Sequence, residues 1–81
     1  METKLAVIAI VVENPNSVEA LNGLLHDYGS YIIGRMGIPY HPKNVSLISV
    51  AIDAPMDAIS SLSGKIGRLD GVSAKVAYSR L

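Results

Sequence analysis

The chain contains no cysteine, no phenylalanine and no tryptophan in its 81 residues. Without cysteine it forms neither a disulfide nor a thiolate metal site, and a cysteine nucleophile is excluded. Four tyrosines are the only aromatic residues, so aliphatic side chains and methionine must build the core. Small domains often depend on oligomerisation for stability. We therefore expect a single domain over residues 1–81 that self-associates.

The chain also lacks an excess of charge, because seven acidic residues balance seven basic ones. A neutral chain has no overall electrostatic attraction to nucleic acid or to an anionic membrane. The apolar run at residues 5–12 is far shorter than the ~20 residues of a membrane span, and no secretory signal pattern is present. We expect a soluble, cytoplasmic protein that binds neither membrane nor nucleic acid directly.

Apolar patterning in the first half predicts a strand followed by a helix. Residues 5–12 are apolar on both faces, as in a strand that is buried on both sides. Asn14 before Pro15, or Asn16, can cap the helix that follows. Gly29 is placed to end this helix in the left-handed conformation. The helix has one apolar stripe at spacings of three and four: Val18, Leu21, Leu24, Leu25 and Tyr28.

The second half predicts two strands, a helix and a last strand. Residues 30–36 and 45–52 form the second and third strands, and residues 37–44, which contain glycine and proline, form a loop between them. Pro55 opens the second helix, and Asp70 with Gly71 forms a turn before a last strand that alternates apolar and polar residues. The second helix buries one apolar stripe: Ile59, Leu62, Ile66 and Leu69.

The order β-α-β-β-α-β predicts an α+β, ferredoxin-like sandwich with an antiparallel four-stranded sheet. Right-handed crossovers place the first and third strands at the centre, with both helices on one face of the sheet. The other face is then apolar and uncovered, which usually marks an interface. We expect the partner to be a second copy of the chain, in a homodimer or a higher homo-oligomer.

Two short motifs share the order glycine, cation, apolar residue, glycine. The first spans Gly34, Arg35 and Gly37, and the second contains Gly64 and Lys65. Each can present backbone N–H groups and a cation to an anion. The alternative is that the glycines only permit a turn or close packing.

Arg35 lies within an apolar segment, and its planar guanidinium suits a carboxylate or a phosphate. The alternatives are a solvated arginine or an ion pair with Glu13 or Asp53.

His26 and His41 are the only histidines, too few for a metal site without other ligands. The central strands have no aromatic residue for stacking RNA bases. No nucleophile is spaced beside a base, so we expect no metal, no cofactor and no catalytic residues.

Four segments together are similar to a known family: residues 12–14, residues 18–25, residues 33–40 with the sequence Ile-Gly-Arg-Met-Gly-Ile-Pro-Tyr, and residues 63–67. They resemble a small family of regulators named for iron-only hydrogenase systems. The resemblance implies an ACT-like fold, a regulatory role rather than an enzyme, and a small anionic or amino-acid-like ligand near the loop after the first strand. Asn14 and Asn16 are the polar candidates in that loop. Together with the residues of the two short motifs and Tyr40, the candidate ligand-binding residues are Asn14, Asn16, Gly34, Arg35, Gly37, Tyr40, Gly64 and Lys65.

Two alternatives to a ligand-binding regulator stay open on the sequence. The chain can be a structural or partner-binding protein with no small ligand. It can also be a small enzyme that holds an anionic substrate at Arg35, with Glu13, Asp53 or His41 as the base.

Overall fold

The structure is a computed structural model that describes residues 2–80. Four strands and two α-helices alternate in the predicted order. They are β1 (Lys4–Val12), α1 (Val18–Asp27), β2 (Ile32–Tyr40), β3 (Val45–Ala54), α2 (Met56–Gly67) and β4 (Val72–Tyr78), with short 3₁₀ turns at Pro15–Ser17, Gly29–Tyr31 and His41–Lys43. Within residues 2–80, no helix is long and apolar enough to cross a membrane.

The sheet is antiparallel, with the strand order β2-β3-β1-β4. The predicted ferredoxin-like fold is therefore confirmed, and so is the central position of β1 and β3. These two strands are the runs that are apolar on both faces, as expected for strands with a neighbour on each side and a helix layer against one face.

One face of the sheet packs against both helices and forms the core. Ile8 and Ile10 of β1 and Val50 and Ile52 of β3 are 0–1% exposed. The two helices contribute the stripes that the sequence predicts, because residues three and four positions apart fall on one side of a helix. The buried helix residues are Leu21, Leu25, Ile59, Leu62 and Ile66.

The opposite face of the sheet, which we call the outer face, has no cover within residues 2–80. Side chains alternate along a strand, so the residues between the core positions point to this face. Met36 and Ile38 of β2 are 65% and 55% exposed, and Val7 of β1 is 43% exposed. Along the three strands β2, β3 and β1 the face is formed by apolar and small residues and by one charged residue, Asp53, near its edge: Ile33, Gly34, Met36, Ile38, Tyr40, Val45, Leu47, Ser49, Ala51, Asp53, Leu5, Val7, Ala9 and Val11.

The predicted loop over residues 37–44 is wrong, because β2 continues to Tyr40. Gly37 pairs with Ile48, and Tyr40 pairs with Val45. Pro39 is tolerated here because β2 is an edge strand, where a missing N–H need not interrupt the ladder. The chain reverses in the short turn His41–Lys43 and then through Asn44, which adopts the left-handed conformation with φ 54°.

The prediction for Gly29 is also wrong. Helix α1 ends at Asp27, and the Tyr28 N–H closes its last turn on Leu24 O. Among residues 2–80, the positive φ angles belong to Asn44 and Gly71. Gly71 has φ 68°, as the predicted turn before β4 requires.

Candidate functional site

Arg35 lies on the helix side of the sheet. It pairs with Val50, a core residue of β3, so its side chain extends along the same face toward α1. Its Nη2 donates a hydrogen bond to Asn22 Oδ1 at 3.2 Å. Arg35 thereby borders an open groove between α1 and β2, which we call the α1–β2 groove. The groove has a volume of about 360 Å³ and is lined by Asn22, Leu25, His26, Gly29, Ile32 and Arg35.

The α1–β2 groove is lined by donors and apolar groups, and no carboxylate from residues 2–80 lines it. Arg35 has five N–H groups, and its bond to Asn22 uses one of them. The Asn22 amide nitrogen and the His26 ring can donate as well. Leu25 and Ile32 add apolar surface below these groups. The arrangement suits a small anion that also has an apolar part.

The partner of Arg35 is Asn22 on α1, and no hydrogen bond joins Arg35 to the loop after β1 among residues 2–80. The alternative of an ion pair with Asp53 is wrong. Asp53 pairs with Leu5 and lies on the outer face, whereas Arg35 lies on the helix side. The direction of Arg35 follows from a β-bulge at Ile33, which shifts the register between Ile32 and Gly34.

Asn14 fixes the loop after β1 to the turn before β4. Its Oδ1 accepts a hydrogen bond from Asn16 N at 3.0 Å, and its Nδ2 donates to Asp70 Oδ2 at 2.7 Å. Ser17 Oγ adds a bond to Asp70 O at 2.6 Å. Asn14 therefore caps the 3₁₀ turn at Pro15–Ser17 rather than α1 itself. Both polar ends of its side chain are used within the fold.

Tyr40 lies at the far end of β2, beside the loop after β1. A cleft of about 120 Å³ lies between these segments and is lined in part by Pro15, Val18, Tyr40, His41 and Asn44. The structure thus brings Tyr40 close to the predicted ligand loop, although neither Asn14 nor Asn16 lines the cleft. Arg35 does not line it either.

Lys65 belongs to a separate polar cluster between the two helices. Its Nζ donates to Tyr28 OH at 3.0 Å and lies 5.3 Å from the centre of the Tyr28 ring. Tyr28 OH and Ser61 Oγ share a hydrogen bond of 3.1 Å. The bond with Ser61, followed by that from Lys65, holds the pKa of Tyr28 below its usual value. Gly64 lies beside the Arg68 guanidinium.

The two glycine-cation motifs do not form one site. Arg35 contacts α1 at Asn22, and Lys65 contacts Tyr28, the residue directly after α1. Six residues of α-helix rotate the chain by about 240°, so these two positions face different directions. Asn22 and His26 were missed by sequence reasoning as groove residues. Their spacing of four on α1, which places them on one side of the helix, is the signal that could have identified them.

The part of the chain that the structure describes contains no cluster of side chains suited to bind a metal ion. No group of three or more histidine, cysteine, aspartate or glutamate residues between positions 2 and 80 is placed to hold an ion. Metal independence stays a prediction.

The sheet order and the helix layer define a ferredoxin-like α+β domain, here with an uncovered apolar face and an open groove beside Arg35. The chain belongs to the family described as "TM1266-like: Iron-only hydrogenase system regulator, putative", whose family model matches residues 4–76. The resemblance suggested by the glycine-rich segments is thereby confirmed. No curated protein matches the chain.

Solved structures extend the comparison. The uncharacterized protein TM1266 from Thermotoga maritima is 30% identical, with a TM-score of 0.93 over 98% of this chain and 100% of that one. A formyltetrahydrofolate deformylase from Pseudomonas putida KT2440 is 10% identical, with a TM-score of 0.65 over 90% of this chain and 28% of its own. CPII, a nitrogen regulatory PII-like protein from Thiomonas intermedia K12 bound to ADP, AMP and bicarbonate, is 14% identical, with a TM-score of 0.54 over 98% and 99%. The last two share the fold alone.

Proposed function

We propose that the chain is a non-enzymatic, ACT-like regulatory module that works as a homo-oligomer assembled through its outer face. The observation that carries this proposal is the apolar character of that face. Residues such as Met36, Ile38 and Leu47 are about half exposed or more in the single chain. A contiguous apolar surface of this kind costs free energy in water until another surface covers it.

The dimensions of the sheet favour a second copy of the chain as the cover. The molecule measures 42 × 19 × 17 Å along its principal axes. Four strands of 7–10 residues form a sheet of roughly 30 × 19 Å, and such a face is of the same order as the roughly 800 Å² that each partner buries in a standard protein interface. An isologous dimer uses this one surface twice and needs no other partner.

Sedimentation equilibrium at micromolar concentration tests the assembly. We expect the wild-type protein to be a dimer or a larger oligomer. Leu47→Glu places a charge on the outer face and should prevent assembly, because burying an unpaired charge in an interface is costly. The variant should still fold, because Leu47 is 46% exposed and is not part of the core. Met56→Glu is the matched control, since Met56 is 51% exposed at the start of α2. A monomeric wild type, or a Leu47→Glu protein that assembles normally, would contradict the proposal.

The ligand-binding part of the proposal rests on the α1–β2 groove. We assign Arg35 the central role there, with the backbone at Gly34 and Gly37 on either side of it. The guanidinium has unused donors, and none of the described lining residues is a carboxylate that could neutralise it. A small molecule with a carboxylate or phosphate group fits this chemistry. Asn14, Asn16, Tyr40, Gly64 and Lys65 stay candidate contacts outside the groove.

Titration with inorganic phosphate and with acetate, followed by the backbone amide signals in NMR spectra, tests the groove. Saturable shifts are expected at Asn22, His26 and Arg35. Arg35→Ala should abolish them, and Arg35→Lys should weaken binding by about tenfold because the planar fork is lost. Lys43→Ala is the control for loss of a positive charge and should bind as wild type does, because Lys43 is exposed in the turn after β2 and does not line the groove. Equal binding by all four proteins would remove Arg35 from the site.

A partner protein without a small ligand is the second candidate function, and the same exposed outer face favours it. The phosphate titration separates the two candidates. An oligomer that shows no saturable shift with either anion would support the partner-binding function and contradict the ligand site.

A further inference from the structure

We propose that two copies of the chain pack outer face to outer face, with Met36 of each copy inserted into the hollow above Gly34 of the other. This inference rests on the proposed oligomeric function and specifies its geometry. Three features of the outer face carry it: a glycine without a role in its own chain, a pattern of large and small side chains, and a cleft at their centre.

Gly34 has no evident role within its own chain. A Cβ atom added there meets nothing within 4 Å, and its φ is not in the left-handed region. Glycine in a strand costs stability, because it adds backbone entropy to the unfolded state and gives no side chain to pack. Such a glycine often marks the place where another molecule approaches the backbone closely. On the uncovered outer face, that molecule must come from outside the chain.

The register of the sheet arranges the centre of the outer face in two adjacent rows. Each row crosses β2, β3 and β1, and neither carries a charged residue on these three strands. The first row is Gly34, Ala51 and Val7, and the second row is Met36, Ser49 and Ala9. From β2 to β1, the side chains of the first row are small, small and large. Those of the second row are large, small and small.

Consider a two-fold axis that runs parallel to the two rows and midway between them, at right angles to the strands. This axis places the first row of one copy against the second row of the other. Met36 then meets Gly34 of the second copy, and Val7 meets its Ala9. Each large side chain is opposite a small one, which is the condition for close packing without strain. The strands of the two sheets run along a common direction in this arrangement, as they do in aligned sheet packing.

A cleft of about 220 Å³ lies at the place where the methionine would enter. It is lined by Val7, Gly34, Arg35, Met36, Ser49 and Ala51. Methionine suits this role because its flexible thioether chain fills irregular gaps. Lys75 extends the second row on β4, at the edge of the sheet, where its exposed ammonium can stay in water.

The competing arrangement joins two copies through the free edge of β2, which would give a continuous sheet. Edge pairing uses backbone groups and leaves the outer face open. A larger side chain at position 34 would point away from that contact and would not hinder it. The size of residue 34 therefore distinguishes face packing from edge pairing.

Three variants test the packing by sedimentation equilibrium: Gly34→Met, Met36→Ala and the double variant that combines them. Gly34→Met sets two large side chains against each other and should weaken dimerisation by about tenfold or more, the scale of overpacking. Met36→Ala leaves the hollow empty and should also weaken it. The double variant exchanges large and small between the rows, so it should recover most of the lost affinity. Gly23→Met, on α1 away from the face, is the matched control.

The outcomes separate this inference from the proposed function. A wild-type monomer would overturn both. A wild-type dimer that Gly34→Met leaves unchanged, or a double variant no better than its singles, would overturn only the face packing. Circular dichroism of each variant shows whether its strands and helices remain. If Gly34→Met fails to fold, Gly34→Ala provides the same comparison with a smaller side chain.

Discussion

Gly71 and Gly34 differ in why the position has no side chain: the surrounding chain excludes one at Gly71 but leaves room for one at Gly34. Gly71 adopts φ 68°, and an added Cβ would lie 2.6 Å from the Asn14 Cβ and 3.0 Å from the Asn14 N. Its own chain therefore requires a glycine there. Gly34 is under no such constraint from its own chain, and the close approach of a second copy is the reason that we propose for it.

Gly71→Ala should lower the free energy of unfolding by about 2 kcal/mol or more. The left-handed backbone and the close contact with Asn14 both oppose a Cβ atom. Urea unfolding measures the change. Gly23→Ala is the control, because it lies in a helix with nothing near and should stabilise by about 0.5–1 kcal/mol. Equal stability of Gly71→Ala and wild type would show that the turn relaxes without cost.

Asn14→Asp should destabilise the protein by about 1 kcal/mol. The substitution keeps the oxygen that accepts from Asn16 N but sets a carboxylate against Asp70 Oδ2, where the amide donated at 2.7 Å. The loss should shrink in high salt, which screens exposed charges. Asn16→Asp is the matched control. An Asn14→Asp protein as stable as wild type at low salt would contradict the importance of the Asn14–Asp70 bond.

At the scale of elements, the Tyr28–Ser61–Lys65 cluster links α1 to α2 at their exposed side. Because hydrogen bonds from Ser61 and Lys65 lower the pKa of Tyr28, the folded state favours the deprotonated phenol. The associated stability is present above the ordinary tyrosine pKa, near 10, and is lost as the pH falls through the lowered pKa. The free energy of unfolding should therefore gain a rising contribution just below pH 10.

Tyrosinate absorbance tests this pKa shift. The difference between wild type and Tyr28→Phe isolates Tyr28, and its midpoint should lie below the ordinary value. Ser61→Ala and Lys65→Met should each raise that midpoint, because each removes one hydrogen bond to the phenol oxygen. Ser60→Ala, the neighbouring residue on α2, should leave it unchanged. A midpoint that neither the Ser61 nor the Lys65 substitution moves would show that these hydrogen bonds do not lower the pKa of Tyr28.

Strand β2 shows where patterning misleads at the element scale. Two glycines and Pro39 in residues 34–39 are typical turn residues, so the sequence predicts a loop from residue 37. The strand instead continues to Tyr40, because pairing with β3 supplies hydrogen bonds that outweigh the weak local preference. An edge strand also tolerates proline and glycine better than a central one.

At the scale of the whole molecule, we expect stability that does not depend on metal. No suitable ligand group is found between residues 2 and 80. Dialysis against a chelator should leave the melting temperature unchanged, as measured by differential scanning calorimetry with untreated protein as the control. A drop of several degrees that nickel or zinc reverses would instead assign His26 or His41 a role in metal binding.

The sequence by itself determined the order of the elements, the central strands and the uncovered apolar face. These features follow from the period of the apolar pattern: strands apolar on both faces belong at the centre, and two one-sided helices cover only one face. The other face is apolar because the central strands have apolar residues at almost every position, whichever side each residue faces.

The tertiary structure alone decided which side of the sheet each residue of β2 faces. The bulge at Ile33 shifts the register by one residue, and a shift of one residue moves every following side chain to the opposite face. It turns Arg35 toward Asn22 on α1 and places Gly34 and Met36 on the outer face. Local sequence does not set such a register, because pairing with β3 and packing against α1 choose it together.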